Sequence, residues 1–212
     1  MKTDINVVNL TVLIAMILAF AWLDWRNKKH VLLLAIVFVM FATEAMFIIC
    51  RHARVSNQIF LTLSVIVHAV LWHLVLAEAF RDRNLPRIPI AIFILFAVVN
   101  LLWFEGADSF NYLTFIAGSL LYISTLLTKS FSLLKKEELD FFLTNDFWLV
   151  GSPVAMFFGL SLVFAFKDLS ASSYLILPGI SVYQFMICVI NLCYYAMIIT
   201  FVHNEKKLRH AG

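Results

Sequence analysis

The sequence predicts an all-α fold, a polytopic bundle of about seven transmembrane helices forming one domain over residues 1–212. Three observations predict it. Hydrophobic residues make up 63% of the chain and charged ones 14%, against about 45–50% and about 25% in soluble domains. The apolar residues fall into blocks of about 18–25, the length a helix rising 1.5 Å per residue needs to cross about 30 Å of hydrocarbon. Lys and Arg concentrate on alternate breaks between the blocks. Lipid offers no partner to backbone N–H and C=O groups, so each block must satisfy them internally, as a helix does.

Taken in order, the first span is expected over about 6–23; no small-residue cleavage pattern follows it, so it should remain as a helix. The second and third are expected over about 31–50 and 58–80. The fourth, about 89–104, is short and opens after Pro86 and Pro89; the fifth, about 110–128, carries Asn111, Thr114 and Gly118. The sixth and seventh are expected over about 147–166 and 175–202, where Ser152-Pro153 and Pro178-Gly179 predict kinks that free backbone carbonyls. Between the fifth and sixth lies KSFSLLKKEELDFFLTND, Lys129 to Asp146, in which apolar residues alternate with charges. It reads as a helical extension or an amphipathic turn at the interface.

Charge sets the orientation. One set of alternate breaks holds twelve Lys and Arg residues: Arg26, Lys28 and Lys29; Arg81, Arg83 and Arg87; Lys129, Lys135 and Lys136; Lys206, Lys207 and Arg209. The other set holds four, Lys2, Arg51, Arg54 and Lys167. Cytoplasmic loops carry this excess, which predicts the N-terminus outside, the C-terminus inside and an odd number of spans. The net charge of +3 thus reads as topology and not as affinity for nucleic acid. The expected location is a cell membrane, multi-pass, and the inner membrane if the source is bacterial. Trp22, Trp25, Trp103 and Trp148 stand near span ends, where an apolar ring with a polar tip is accommodated. Cys50, Cys188 and Cys193 have no metal-ligand spacing and read as packing residues.

Ionisable residues within the bilayer are expensive and mark candidate sites. Glu44 in the second span and His68 and His73 in the third are the ligand- or proton-binding candidates. The two histidines are five residues apart, about 140° around a helix, so they face different directions and do not form an i, i+4 metal pair. On the expected orientation Glu44 and His68 agree best in depth. Their functional reading is a protonatable or ligand-binding couple, and their structural reading is hydrogen bonding across helices. Glu78, near Arg81 and Arg83, reads as an ion-pair partner at the interface. Asn100 and Asn191 are amides expected to link helices. No catalytic residue, metal site or cofactor is predicted.

The stretch DFWLVGSPVAMFFGLSLVFAF, with Phe147, Trp148, Gly151 and Phe164, resembles the sixth-helix pattern of the membrane part of Bacteroidetes-type sensor histidine kinases. The seventh span with Asn191 and the exit HNEKKLRH is similar to the join to a kinase module in such chains. The resemblance implies a seven-helix sensory region; since no kinase follows, it implies a stand-alone sensor acting through a separate cytoplasmic or membrane protein, with the lipid bilayer as its other partner. Microbial rhodopsins share the helix number and size but need a Lys in the last helix for the Schiff base, and residues 175–202 hold none. Lysoplasmalogenase-like proteins match in length, yet the paired intramembrane Asp residues expected of such a hydrolase are missing. A small intramembrane lipid hydrolase and a transporter or channel subunit stand as the alternatives. An oligomer is compatible with the apolar outer faces, since lipid and a second subunit select the same residues.

Overall fold

The structure is a computed structural model that describes residues 7–82, 84–85, 87–177 and 179–211. Lys2, Arg83, Pro86 and Pro178, which enter the sequence reading, lie outside them. Among the described residues there are seven α-helices: α1 (Val7–Trp22), α2 (Lys28–Ala53), α3 (Gln58–Ala79), α4 (Arg87–Val99), α5 (Tyr112–Lys135), α6 (Asn145–Ala165) and α7 (Val182–Ala211). A π-helical turn, Asn100–Phe104, continues α4. Six spans, α2, α3, α5, α6, α7 and α4 taken together with its π-helical turn as Arg87–Phe104, are long and apolar enough to cross a membrane, and the chain is a multi-span helical membrane protein. The seventh, α1, has 16 residues, about 24 Å of helix against about 30 Å of hydrocarbon.

The helices alternate in direction. The ends rich in Lys and Arg gather on one side, the basic end, where Lys28 pairs with Glu78, Lys29 with Asp146 and Lys129 with Asp82. Glu78 is thus the ion-pair partner expected of it, though its cation comes from α2 and not from Arg81. The opposite side carries a small antiparallel hairpin, β1 (Leu175–Leu177) with β2 (Ile180–Ser181), and is called the hairpin end. Leu175–Leu177 and Ile180–Ser181 were expected to open the last span; instead they pair as these two strands, α7 begins at Val182, and it runs through HNEKKLRH as helix.

Three helix ends show why the boundaries were hard to read. Arg54, Arg81 and Glu137 adopt positive φ of 55°, 53° and 59°, the left-handed turn that closes a helix and that glycine usually supplies. Val55, Asp82 and Glu138 then donate back to the carbonyls of Cys50, Ala77 and Leu133 at 3.0, 3.0 and 3.1 Å. None of these stops carries its usual signal. At the start of α2, by contrast, Asn27 accepts from the Lys29 amide at 3.0 Å, an ordinary cap.

Helix α3 is central, packed against α2, α4, α5 and α6, while α6 and α7 share the most extensive contact and α1 lies along α2 and α7. Helix α4 is peripheral: 17% of its apolar window is buried inside the protein, against 39% for α3 and α6. The core is aromatic, with Trp72, Tyr122, Tyr194, Tyr195, Phe93 and Phe201 fully buried. Of the cysteines, Cys50 is buried, Cys188 half-buried and Cys193 exposed, so Cys193 is not a packing residue within this chain.

Pro153 sits inside α6, which continues through it. The carbonyl released by its missing N–H is that of Leu149, four residues back. Ser152 Oγ donates to it at 2.8 Å, and Tyr122 OH donates to the neighbouring Val150 carbonyl at 2.8 Å. Both carbonyls are therefore taken by side-chain donors and are not left free, contrary to the expectation from Ser152-Pro153. The Lys129–Asp146 segment extends α5 to Lys135 and then makes a 3-10 turn, Leu139–Leu143, whose Phe141 stacks on Phe80 with ring centroids 4.6 Å apart.

Candidate functional site

Between α2, α3, α5, α6 and α7, in the half of the bundle nearer the hairpin, lies a cavity of about 580 Å³. Its walls are mostly aromatic and aliphatic, Phe47, Phe115, Phe157 and Phe164 among them, and its polar lining includes Glu44, Gln58, His68 and Asn191. The pattern of an apolar enclosure with few polar groups is that of small-molecule sites. No Lys or Arg is among the described residues that line it. Lys167 Nζ lies 3.6 Å from the centroid of the Tyr112 ring, and Tyr112 belongs to the lining.

His68 is the most informative wall residue. It is 4% exposed, about 15 Å along α3 from Gln58. Its Nε2 accepts from the indole N–H of Trp72 at 2.9 Å, and the Tyr194 hydroxyl lies 3.4 Å from the same nitrogen. An indole N–H only donates, so Nε2 carries the lone pair and the ring proton sits on Nδ1. That Nδ1 has no hydrogen-bond partner. Trp72 and Tyr194, which hold the Nε2 edge, are not part of the cavity wall, whereas His68 is.

Two other histidines of α2 and α3 behave differently. His73 Nδ1 donates to the Ala69 carbonyl at 2.8 Å and His52 Nδ1 to the Ile48 carbonyl at 2.9 Å, each four residues back. His68 does not make the equivalent bond. His73 is buried on another face, with its ring 5.5 Å from that of Tyr122 and nearly perpendicular to it. It is outside the cavity.

Glu44 shares the cavity with His68 at similar depth, about 14 Å from its own helix end. The hydrogen bonds of the two go elsewhere: Glu44 Oε2 accepts from Asn9 Nδ2 of α1 at 2.8 Å, while His68 is held by Trp72 and Tyr194. The structure thus brings Glu44 and His68 to one chamber and leaves His73 apart. Asn191 lines the same chamber, but its Nδ2 donates to Ile187 of its own helix at 2.8 Å, so this bond does not join helices. Asn100 is not among the residues that line the chamber. Its Nδ2 reaches Glu105, Asn111 and Thr114 at 2.5, 3.2 and 2.9 Å, binding the end of α4 to the start of α5.

Gln58, Trp72, Tyr194 and Asn9 were not singled out in the sequence. Trp72 had a legible signal, four residues after His68 and so on the same helix face; Asn9, an amide in the first apolar block, was another. Gln58, whose buried Oε1 has no partner, lies at a helix start where a polar residue is ordinary.

A second polar cluster stands at the basic end. His30 is buried; its Nδ1 accepts from the Asp24 amide at 3.1 Å and its Nε2 lies 3.0 Å from Glu205 Oε2. Asn145 Nδ2 donates to Glu205 Oε1 at 2.8 Å. Side chains of α2, α6 and α7 therefore meet on one carboxylate. Among the described residues no group of three or more His, Cys, Asp or Glu side chains is placed to hold a metal. No family model, curated protein or solved structure matches this chain.

Proposed function

We propose that this multi-span membrane protein is of sensory type: it takes up a small lipid-soluble molecule in the cavity and conveys its occupancy to a separate protein at the basic end. In this reading α1 is a seventh span, the N-terminus is outside, the basic end is cytoplasmic, and the membrane is the inner one if the source is bacterial. The observation that carries it is the span of α7. Asn191 on that helix lines the cavity and Glu205 joins the polar cluster at the basic end, about 21 Å apart on one continuous helix. A shift of α7 at the cavity would be felt at Glu205. The likeness of the sixth helix to sensor regions supports the same reading, and Phe164 of that pattern is a cavity wall residue.

A second reading, an intramembrane lipid hydrolase, draws on Glu44 and His68 lining one chamber; a transporter or channel subunit would also use such a chamber. Purification from native membranes in mild detergent, followed by mass spectrometry, separates these. The sensory reading expects a bound small molecule together with a stoichiometric protein partner. Lipid turnover or solute flux by the purified protein alone in proteoliposomes, abolished by Glu44→Gln, would overturn it.

A further inference from the structure

We infer that the cavity ligand is an uncharged apolar molecule bearing one oxygen acceptor, a carbonyl or a hydroxyl, which takes the proton of His68 Nδ1. This rests on the cavity being a ligand site, as proposed above, and adds the class of molecule it selects. The deep wall offers a donor, because Trp72 and Tyr194 both address Nε2 and fix the ring proton on the other nitrogen. That donor is buried and unpartnered, a state that costs about 1–3 kcal/mol in general and that an incoming acceptor relieves.

Neither sign of charge suits the unsatisfied donor as a neutral acceptor does. An anion would be buried with Glu44 in the same wall and with no Lys or Arg among the described lining residues; Lys167, beside the lining residue Tyr112, is engaged by its ring. A cation would be drawn to Glu44 but has no lone pair for the His68 N–H, and so leaves that donor unsatisfied. The rest of the chamber, with Phe47, Phe115 and Phe157, favours an apolar body. Ser64 and Thr43 do not compete for the oxygen, since each donates its one hydroxyl proton to a carbonyl of its own helix.

The test uses the full chain in lipid nanodiscs and five probes on one ten-carbon chain: decane, 2-decanone, 1-decanol, decanoate and decylammonium. Affinity is read from the concentration dependence of the thermal midpoint. The expected result is that decanone and decanol bind about tenfold tighter than decane, the scale of one hydrogen bond to an otherwise unsatisfied donor. That preference should vanish in His68→Leu and persist in His68→Asn, whose amide N–H2 replaces the donor. The ketone and the alcohol probe the two kinds of oxygen acceptor that the donor would take.

Equal binding of decane, or a preference that survives His68→Leu, would overturn the inference while leaving a ligand cavity standing. Tightest binding of decanoate or decylammonium would overturn it in favour of a charged ligand. Failure of all five, decane included, would remove the cavity reading itself. Should His68→Leu not fold, the ¹⁵N resonance of wild-type His68 Nδ1 decides: it must move with decanone and not with decane.

Discussion

Trp72 and His68 stand one helical turn apart on α3, and the indole N–H of the first donates to Nε2 of the second at 2.9 Å inside the core. Trp72 itself is fully buried and its N–H also lies 3.2 Å from the Tyr194 hydroxyl. The donor-only indole therefore decides which nitrogen of the imidazole holds the proton. The expected ¹⁵N spectrum of histidine-labelled protein shows His68 with its proton on Nδ1. Replacing both donors, Trp72→Phe with Tyr194→Phe, should let the Nε2-protonated form appear. An unchanged spectrum in that double variant would mean that another group sets the tautomer.

The polar cluster at the basic end should behave as a single fastening. His30 is bonded on both ring nitrogens, and Glu205 takes His30 on one oxygen and Asn145 on the other. The pair is mostly shielded, with side chains 6% and 17% exposed. Removing one partner leaves the other buried without its bond, so His30→Ala and Glu205→Ala are each expected to cost about 2 kcal/mol. A double-mutant cycle in thermal unfolding should give a coupling of about 1 kcal/mol. Additive losses would mean that the two side chains act independently.

Acid should loosen a different tie. Asp82, in the connection between α3 and α4, accepts from Lys129 Nζ at 2.6 Å, and this bond above all holds its pKa below the ordinary 3.8, with the Asn84 amide next. A carboxylate with a lowered folded pKa contributes stability above its unfolded value and loses that contribution as pH falls through the folded one. Asp82→Asn should therefore lower the thermal midpoint near neutrality by a small amount, since the pair is exposed. The gap to wild type should close below pH 3.8. A gap that stays constant into acid would show that the aspartate acts by its shape and not by its charge.

Most of the bundle was legible because it follows from one solvent constraint: apolar blocks of spanning length must become helices, and the charge on alternate breaks matches the side on which Lys28, Lys29 and Lys129 find their partners. What was missed lies where no composition signal exists. Arg54, Arg81 and Glu137 close helices in a glycine conformation without being glycine, and the strands Leu175–Leu177 and Ile180–Ser181 are as apolar as a span. The candidate site was half legible. Glu44 and His68 stood out because ionisable groups are rare in lipid, yet the property that makes His68 a donor comes from Trp72 and Tyr194, residues that read as core aromatics.

Gly159 records how closely α6 and α7 approach. A Cβ placed there would lie 2.9 Å from Ile190 Cδ1 and Cγ1 and 3.2 Å from Cγ2. The side chain is branched at its first carbon and has little rotamer freedom in a helix, so relief requires the helices to part. Two effects compete in Gly159→Ala: a gain of up to about 1 kcal/mol in helix propensity and an overpacking cost of about 1–3 kcal/mol. With three Ile190 atoms inside contact distance the second should prevail, giving a net loss of about 1 kcal/mol. Removing the obstruction reverses the sign: in an Ile190→Ala background, Gly159→Ala should stabilise, because only the propensity gain remains. Thermal midpoints of the four proteins in one detergent check this, and a loss of equal size in both backgrounds would show that Gly159 serves something other than this contact.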